Sequence, residues 1–285
     1  MRVLSAVLAL AAVAGPTMAA DPANWAQPMQ PFRIADNLYY VGTAGLTSLL
    51  ITTPKGHILI DGAVPVAAKG IKANIAALGF KPADVKILLN SHAHFDHSGG
   101  LAELKADTGA KMFASAGDKA ALETGTYPGW EDRKHLDFAP VKVDRVLKDG
   151  DKVELGGVTL TAHLTPGHSA GCTTWTFPLK VDGKVRQVIY HCSTSVALNR
   201  LVSKDKGPQY PGIVGDYLAT FAKLKAMKAD VFLAPHAESF RLADKRARLG
   251  TGPNPFVDPS ELAAAVASSE RDFNKALAKQ QEAAR

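Results

Sequence analysis

The sequence predicts a layered α/β domain with helices on its outside. Two observations carry this. Short apolar strands come in two strand-rich halves, each followed by helices, the pattern of sheets covered by helical layers. One strand, Val85–Leu89, is apolar except for Lys86, which suits a sheet covered on both faces. The 285 residues have a 46% hydrophobic share, enough for a sizeable core. No short repeat or low-complexity linker divides them, so residues 21–285 are read as one domain with an N-terminal arm and a C-terminal helix.

The elements follow in order. Residues 21–36, rich in Pro and Gln, read as an irregular arm. Strands are expected at 37–41, 47–52 and 57–61, punctuated by Gly42, Gly45 and the turn Pro54-Lys55-Gly56. Residues 66–78 read as a helix with Ile71, Ile75 and Leu78 on one face. After Val85–Leu89 a helix opens at 100–104, then come a strand at 111–114 and a short helix at 118–122.

The second half repeats the style. Strands are expected at Lys152–Leu155, Val158–Leu164, 173–177 and 185–190. The pair Gly156-Gly157 could close a hairpin between the first two. Residues 213–227 are helical, with Tyr217, Phe221 and Leu224 on one stripe. A strand at 231–234 ends in Pro235-His236, and a helix at 261–281 follows the cap-like Asp258-Pro259-Ser260.

Formal net charge is +6, from 33 Lys+Arg and 27 Asp+Glu. This mild excess suits an anionic small molecule. Nucleic acid is not expected, because there is no basic run and no interleaving of basic with aromatic residues. Residues 1–20 read as a secretory signal: Arg2, an apolar run from Val3 to Ala14 too short to span a bilayer, then small residues before a cut near Thr17-Met18-Ala19 or after Ala20. No later stretch approaches a membrane span, so an exported, periplasmic protein is expected. Its oligomeric state is not legible. The two cysteines, Cys172 and Cys192, suit a disulfide in an oxidising compartment, with two buried thiols as the alternative.

The strongest signal is Asn90-Ser91-His92-Ala93-His94-Phe95-Asp96-His97-Ser98-Gly99-Gly100. It follows an apolar strand and precedes a helix. Imidazole and carboxylate together are zinc ligands. In an extended stretch His92 and His94 project to one side, while Asp96 and His97 can turn to a second position. That spacing suggests two metal ions, for which four ligands are too few. His168 and His236, each just after a predicted strand, are the candidates to complete the set.

The run His92-x-His94-x-Asp96-His97, with His168 and His236 downstream, resembles the metallo-beta-lactamase superfamily. A second likeness is His57-Ile58-Leu59-Ile60-Asp61, a strand ending in an acidic residue. The resemblance spans roughly residues 37–240 and implies an αβ/βα sandwich with two zinc ions at its edge. Within the superfamily the chain is most similar to class B beta-lactamases of the third subclass. That similarity implies His92, His94 and His168 around one zinc, and Asp96, His97 and His236 around the other. Glyoxalase-type and lactonase-type members carry a bridging aspartate where this chain has Tyr190-His191-Cys192-Ser193-Thr194-Ser195. First-subclass lactamases use a cysteine there and lack the histidine at His97. Ser193 matches the third subclass. Cys192, one residue off and so turned to the other face, resembles instead the disulfide partner of Cys172 found in some members.

The resemblance implies hydrolysis of a beta-lactam amide by a zinc-activated water, zinc bringing its water's pKa towards ~7. Asp96 would orient that water and carry its proton, and Ser193 with Ser195 would bind the substrate carboxylate. Two rival readings stand beside a beta-lactamase: a hydrolase of the same fold acting on a lactone, thioester or phosphoester, and a zinc-binding protein without efficient catalysis. Other residues take plainer readings. His57, His135 and His163 read as structural or solvated, and His191 could face the site. Ser203-Lys204-Asp205-Lys206 matches the S-x-x-K pattern by chance, without its partner motifs. Trp175 reads as core. Trp25, Tyr127 and Trp130 read first as packing, with a pocket wall as the alternative.

Overall fold

The computed structural model describes residues 21–285, so the signal read at 1–20 lies outside the described residues. The first half of the chain builds a sheet of seven strands, adjacent in chain order: β1 (Phe32–Ala35), β2 (Leu38–Tyr40), β3 (Leu49–Thr53), β4 (Gly56–Ile60), β5 (Val85–Leu89), β6 (Lys111–Ser115) and β7 (Arg145–Leu147). From β1 to β4 the pairs are antiparallel. From β4 to β7 they are parallel. Parallel neighbours need a crossover. Here the crossovers are α1 (Ala68–Ala77), then α2 (Phe95–Ser98) with α3 (Leu101–Thr108), then α4 (Ala116–Thr124).

The second sheet has β8 (Lys152–Leu155), β9 (Val158–Leu164), β10 (Thr173–Val181), β11 (Lys184–Tyr190) and β12 (Val231–Leu233), in the order β12-β11-β10-β9-β8. Gly156 and Gly157, both in the left-handed region, close the β8–β9 hairpin as expected. Helix α5 (Ile213–Ala226) crosses from β11 to its parallel neighbour β12. Helices α6 (Leu242–Arg248) and α7 (Glu261–Ala283) complete the chain.

Strand alternation divides the core. Leu49, Ile51, Ile58 and Ile60 point towards Trp175, Phe177 and Tyr190, filling the space between the sheets. Their alternates Leu50 and Leu59 lie with Ile71, Ile75, Leu101 and Leu104, under the helices of the first half. Tyr217, Phe221 and Leu224 of α5 and Phe273 of α7 are buried in the same cluster as the second sheet. The architecture is the αβ/βα sandwich. Among the described residues, no helix is long and apolar enough to cross a membrane.

Four elements differ from the sequence reading. The arm is not wholly irregular: Phe32–Ala35 forms an edge strand whose Phe32 stacks on Tyr40 at 5.4 Å. β10 runs past 177 to Val181, because pairing with β11 carries the ladder through Pro178. Arg145–Leu147 and Leu242–Arg248 were unread, one too short and the other too charged to show a period.

Candidate metal centre

Four chain segments meet at one edge of the sandwich, each leaving the end of a strand: β5 leads to residues 90–97, β9 to 165–172, β11 to 191–195 and β12 to 234–236. In the first, His94 keeps extended backbone (φ −92°, ψ 155°), and its carbonyl accepts from the amides of His97 and Ser98 to start α2. His92 and His94 therefore lie on an extended run, while Asp96 and His97 lie on the helical turn beyond it.

The six predicted residues come together as two groups. His92, His94 and His168 present ring nitrogens within 4.8 Å of one another. The Nε2 atoms of His92 and His168 are 3.1 Å apart. In the second group, His97 Nε2 lies 3.2 Å from His236 Nε2 and 3.1 Å from Asp96 Oδ2, and His236 Nε2 lies 3.5 Å from the same oxygen. The groups abut: His92, Asp96 and His97 also fall within 4.8 Å of one another.

The donor chemistry fits metal ions. Nδ1 of His168 donates to the Ser195 carbonyl at 2.7 Å, which leaves the lone pair on Nε2 facing the cluster. His94 Nε2 is buried with no hydrogen-bond partner. A buried polar atom without a partner is costly unless something else satisfies it. Burial also keeps the imidazoles neutral: His92 and His94 are held well below the usual histidine range, and His168 and His236 are pushed down to about 4. For Asp96 burial acts upward, but His97, by charge and hydrogen bond, holds the carboxyl below its ordinary value. His97 responds in the opposite sense: burial lowers it and Asp96 raises it, with a net rise. Four of the five imidazoles are thus held neutral and the carboxylate ionised, the forms that bind zinc, while His97 is the one imidazole whose proton Asp96 favours.

Several neighbours brace the site. Asp61, the acid at the end of β4, accepts from the Ser91 amide and the Tyr190 hydroxyl, both at 2.6 Å. Trp175 is core, as expected, and its Nε1 donates to the Asn90 carbonyl at 3.0 Å. Trp130 does more than pack: its ring stacks on His94 with centroids 4.5 Å apart, and Tyr127 meets the same imidazole edge-on at 4.5 Å. Trp25 lies 5.4 Å from His236. Cys172 and Cys192 form a disulfide, so their sulfurs are not free thiolates although both lie beside His92.

Ser193 is half-buried, and its hydroxyl accepts from the Ser195 amide at 3.2 Å; Ser195 itself is exposed. His191 is buried near Thr194 and lies in none of the metal-binding groups. His163 bonds Thr176, His57 packs edge-on against Phe80, and His135 lies in an exposed turn. Sequence reasoning missed Asp118, a fully buried carboxylate that contacts two of the four segments. Nothing in its local sequence marks it, since it looks like an ordinary first-turn helix acid.

Fold and donor set together define a metallohydrolase built on a two-sheet sandwich. The sequence model of the metallo-beta-lactamase superfamily matches residues 42–181. The structure is similar to that of BJP-1, a subclass B3 metallo-beta-lactamase of Bradyrhizobium japonicum, with 52% identity and a TM-score of 0.89 over 92% of this chain and 99% of that one. The chain belongs to the metallo-beta-lactamase superfamily, with the subclass B3 enzymes among its near structural relatives. It is also 28% identical over 172 residues to the hydroxyacylglutathione hydrolase of Rhodospirillum rubrum, a match covering 59% of this chain and 53% of that protein. Over 163 residues it is 30% identical to the N-acyl homoserine lactonase AttM of Azorhizobium caulinodans, covering 47% and 60%. The matches thus span little more than half the length of these two curated relatives.

Proposed function

We propose that the chain is a periplasmic zinc-dependent beta-lactamase that opens the strained amide ring of beta-lactams and so confers antibiotic resistance. Two zinc ions are the proposed cofactors, one on His92, His94 and His168 and the other on Asp96, His97 and His236. Bound there, zinc would supply a water acidic enough to attack a carbonyl near neutral pH. The Asp96 carboxylate, at the junction of the two groups, would orient that water and take its proton for delivery to the departing ring nitrogen. The hydroxyls of Ser193 and Ser195 hold the substrate carboxylate. Trp130 and Tyr127 cover His94 and keep bulk water from that side.

The carrying observation is a six-residue donor set in two abutting groups, with no carboxylate in residues 190–195. Without a bridging aspartate in that segment the thioesterase and lactonase readings are weaker, although relatives with both activities match part of the chain. The 52% identity with a subclass B3 enzyme over nearly its full length supports the lactam reading. Kinetics on a penicillin, a cephalosporin, a carbapenem, a hydroxyacylglutathione thioester and an N-acyl homoserine lactone test it, with chelator and with zinc restored. Lactam turnover that chelator abolishes and zinc restores is expected. Faster turnover of the thioester or lactone would overturn it.

A further inference from the structure

Asp118 stands in the first turn of α4, fully buried and outside every metal-binding group. One carboxylate oxygen accepts from the Ser169 hydroxyl at 2.9 Å and from the Gly171 amide at 3.1 Å. The other accepts from the Asn90 side-chain amide at 3.2 Å. An ionised carboxylate is an acceptor with about four lone-pair sites, so it can take all three donors at once.

The donors belong to two segments. Asn90 lies on the loop leaving β5 in the first sheet, the loop that carries His92 and His94. Ser169 and Gly171 lie on the loop leaving β9 in the second sheet, directly after His168. The seam is tight. A Cβ on Gly171 would come within 2.2 Å of the Asp118 amide nitrogen, and a Cβ on Gly117 within 2.3 Å of the Ala170 carbonyl. Ser115 adds a hydroxyl bond of 2.6 Å to the Gly171 carbonyl.

We propose that Asp118 is a positioning residue for the His92, His94 and His168 group: it ties the loop bearing His94 to the loop bearing His168 and so sets the spacing of that group. This rests on the two-zinc reading above. The group of Asp96, His97 and His236 receives no bond from Asp118. Loss of the tie should therefore weaken one ion and spare the other, whereas a general folding defect would weaken both.

The test is zinc affinity, measured by competition with a chromophoric chelator, in two backgrounds that each leave one group complete. His97→Ala keeps the first group and His168→Ala keeps the second. Adding Asp118→Ala should weaken binding about 10- to 100-fold in the His97→Ala chain, the usual effect of removing a partner that orients ligands. In the His168→Ala chain the change should stay within about twofold, as for independent sites. Asp118→Asn, which still offers an oxygen to Ser169 and Gly171, should recover most of the affinity. If circular dichroism shows that Asp118→Ala does not fold, Ser169→Ala removes one donor and should cost about two- to tenfold, in the His97→Ala chain alone. Equal losses in both backgrounds, or no loss in a folded variant, overturn the role. A wild-type chain that binds no zinc overturns it together with the proposed function. The expected pattern in a chain that fails to hydrolyse lactams supports the role while overturning the substrate assignment.

Discussion

The Ser195 carbonyl oxygen accepts two hydrogen bonds of 2.7 Å, one from Nδ1 of His168 and one from the Tyr217 hydroxyl. The first sets the tautomer of a proposed metal ligand, and the second holds the acceptor in place from α5. Asn199 adds to the arrangement by donating to the His168 carbonyl at 2.8 Å. An exposed serine thus contributes through its backbone to the orientation of a buried imidazole.

Tyr217→Phe removes one of those bonds while keeping the ring that packs 4.8 Å from Phe273. Stability of the zinc-loaded protein should fall by ~0.5–1.5 kcal/mol, the net value of one hydrogen bond. Urea unfolding measures it. An unchanged midpoint and slope would show that the hydroxyl contributes nothing.

His97→Ala should weaken the second zinc more than the first, because His97 meets Asp96 and His236 in one group while His92, His94 and His168 remain intact in the other. Wild-type protein should hold two zinc ions by elemental analysis, and the variant one at limiting free zinc. Loss of both ions at equal free zinc would sink this partition.

Ser193→Ala and Asp96→Ala separate two mechanisms. A serine that only holds substrate contributes about 0.5–3 kcal/mol, one hydrogen bond to a neutral or charged group. That corresponds to roughly two- to 150-fold in kcat/KM. Asp96→Ala should cost far more, since it removes a metal donor and a proton carrier together. Steady-state kinetics on one good substrate compares them. An inactive Ser193→Ala enzyme that still holds two zinc ions would point to an acylated serine instead.

The disulfide between Cys172 and Cys192 closes a separation of 20 residues beside His92. Alkylation without reductant, followed by intact-mass analysis, should show no modified thiol. Replacing both cysteines with serine should cost ~2–4 kcal/mol, the usual range for such a cross-link. Two alkylated cysteines in native exported protein would refute the bond.

Acid should destabilise the metal-free protein. Burial pushes His168, His191 and His236 from 6.5 to about 4 in the fold, and lowers His92 and His94 as well. The unfolded chain therefore binds more protons below about pH 6.5, and stability falls as pH drops from there towards 4. Three groups act in the opposite sense and offset part of the loss: Asp118, which burial pushes up to about 6, Asp61, which burial also raises, and His97, which burial lowers but Asp96 raises on balance. Thermal melts of chelated protein between about pH 7.5 and 4.5 should show a falling midpoint. A flat profile would contradict the neutral, buried imidazoles.

The sequence by itself determined what depends on local spacing. Apolar runs bounded by Gly42, Gly45 and the turn Pro54-Lys55-Gly56 marked the strands at 47–52 and 57–61, although runs apolar at every position could not say which side chains face the second sheet. The run from His92 to His97 declared a metal site, because four donors lie within six residues on an extended segment and the turn that follows it. Position just after predicted strands nominated His168 and His236, and likeness to known lactamases then named the superfamily and divided the six residues into two groups. Only the tertiary structure decided whether those histidines arrive. His168 is 76 residues from His92 and His236 is 139 from His97, yet each pair of ring nitrogens lies within 3.2 Å. Separation along a chain carries no distance in space. The meeting depends on two sheets packing face to face and on which strand ends share an edge. For the same reason the stack of Trp130 on His94 and the reach of Asp118 across both loops left no mark on the sequence. Each is a contact between segments whose own patterns record only a helix acid and a loop aromatic.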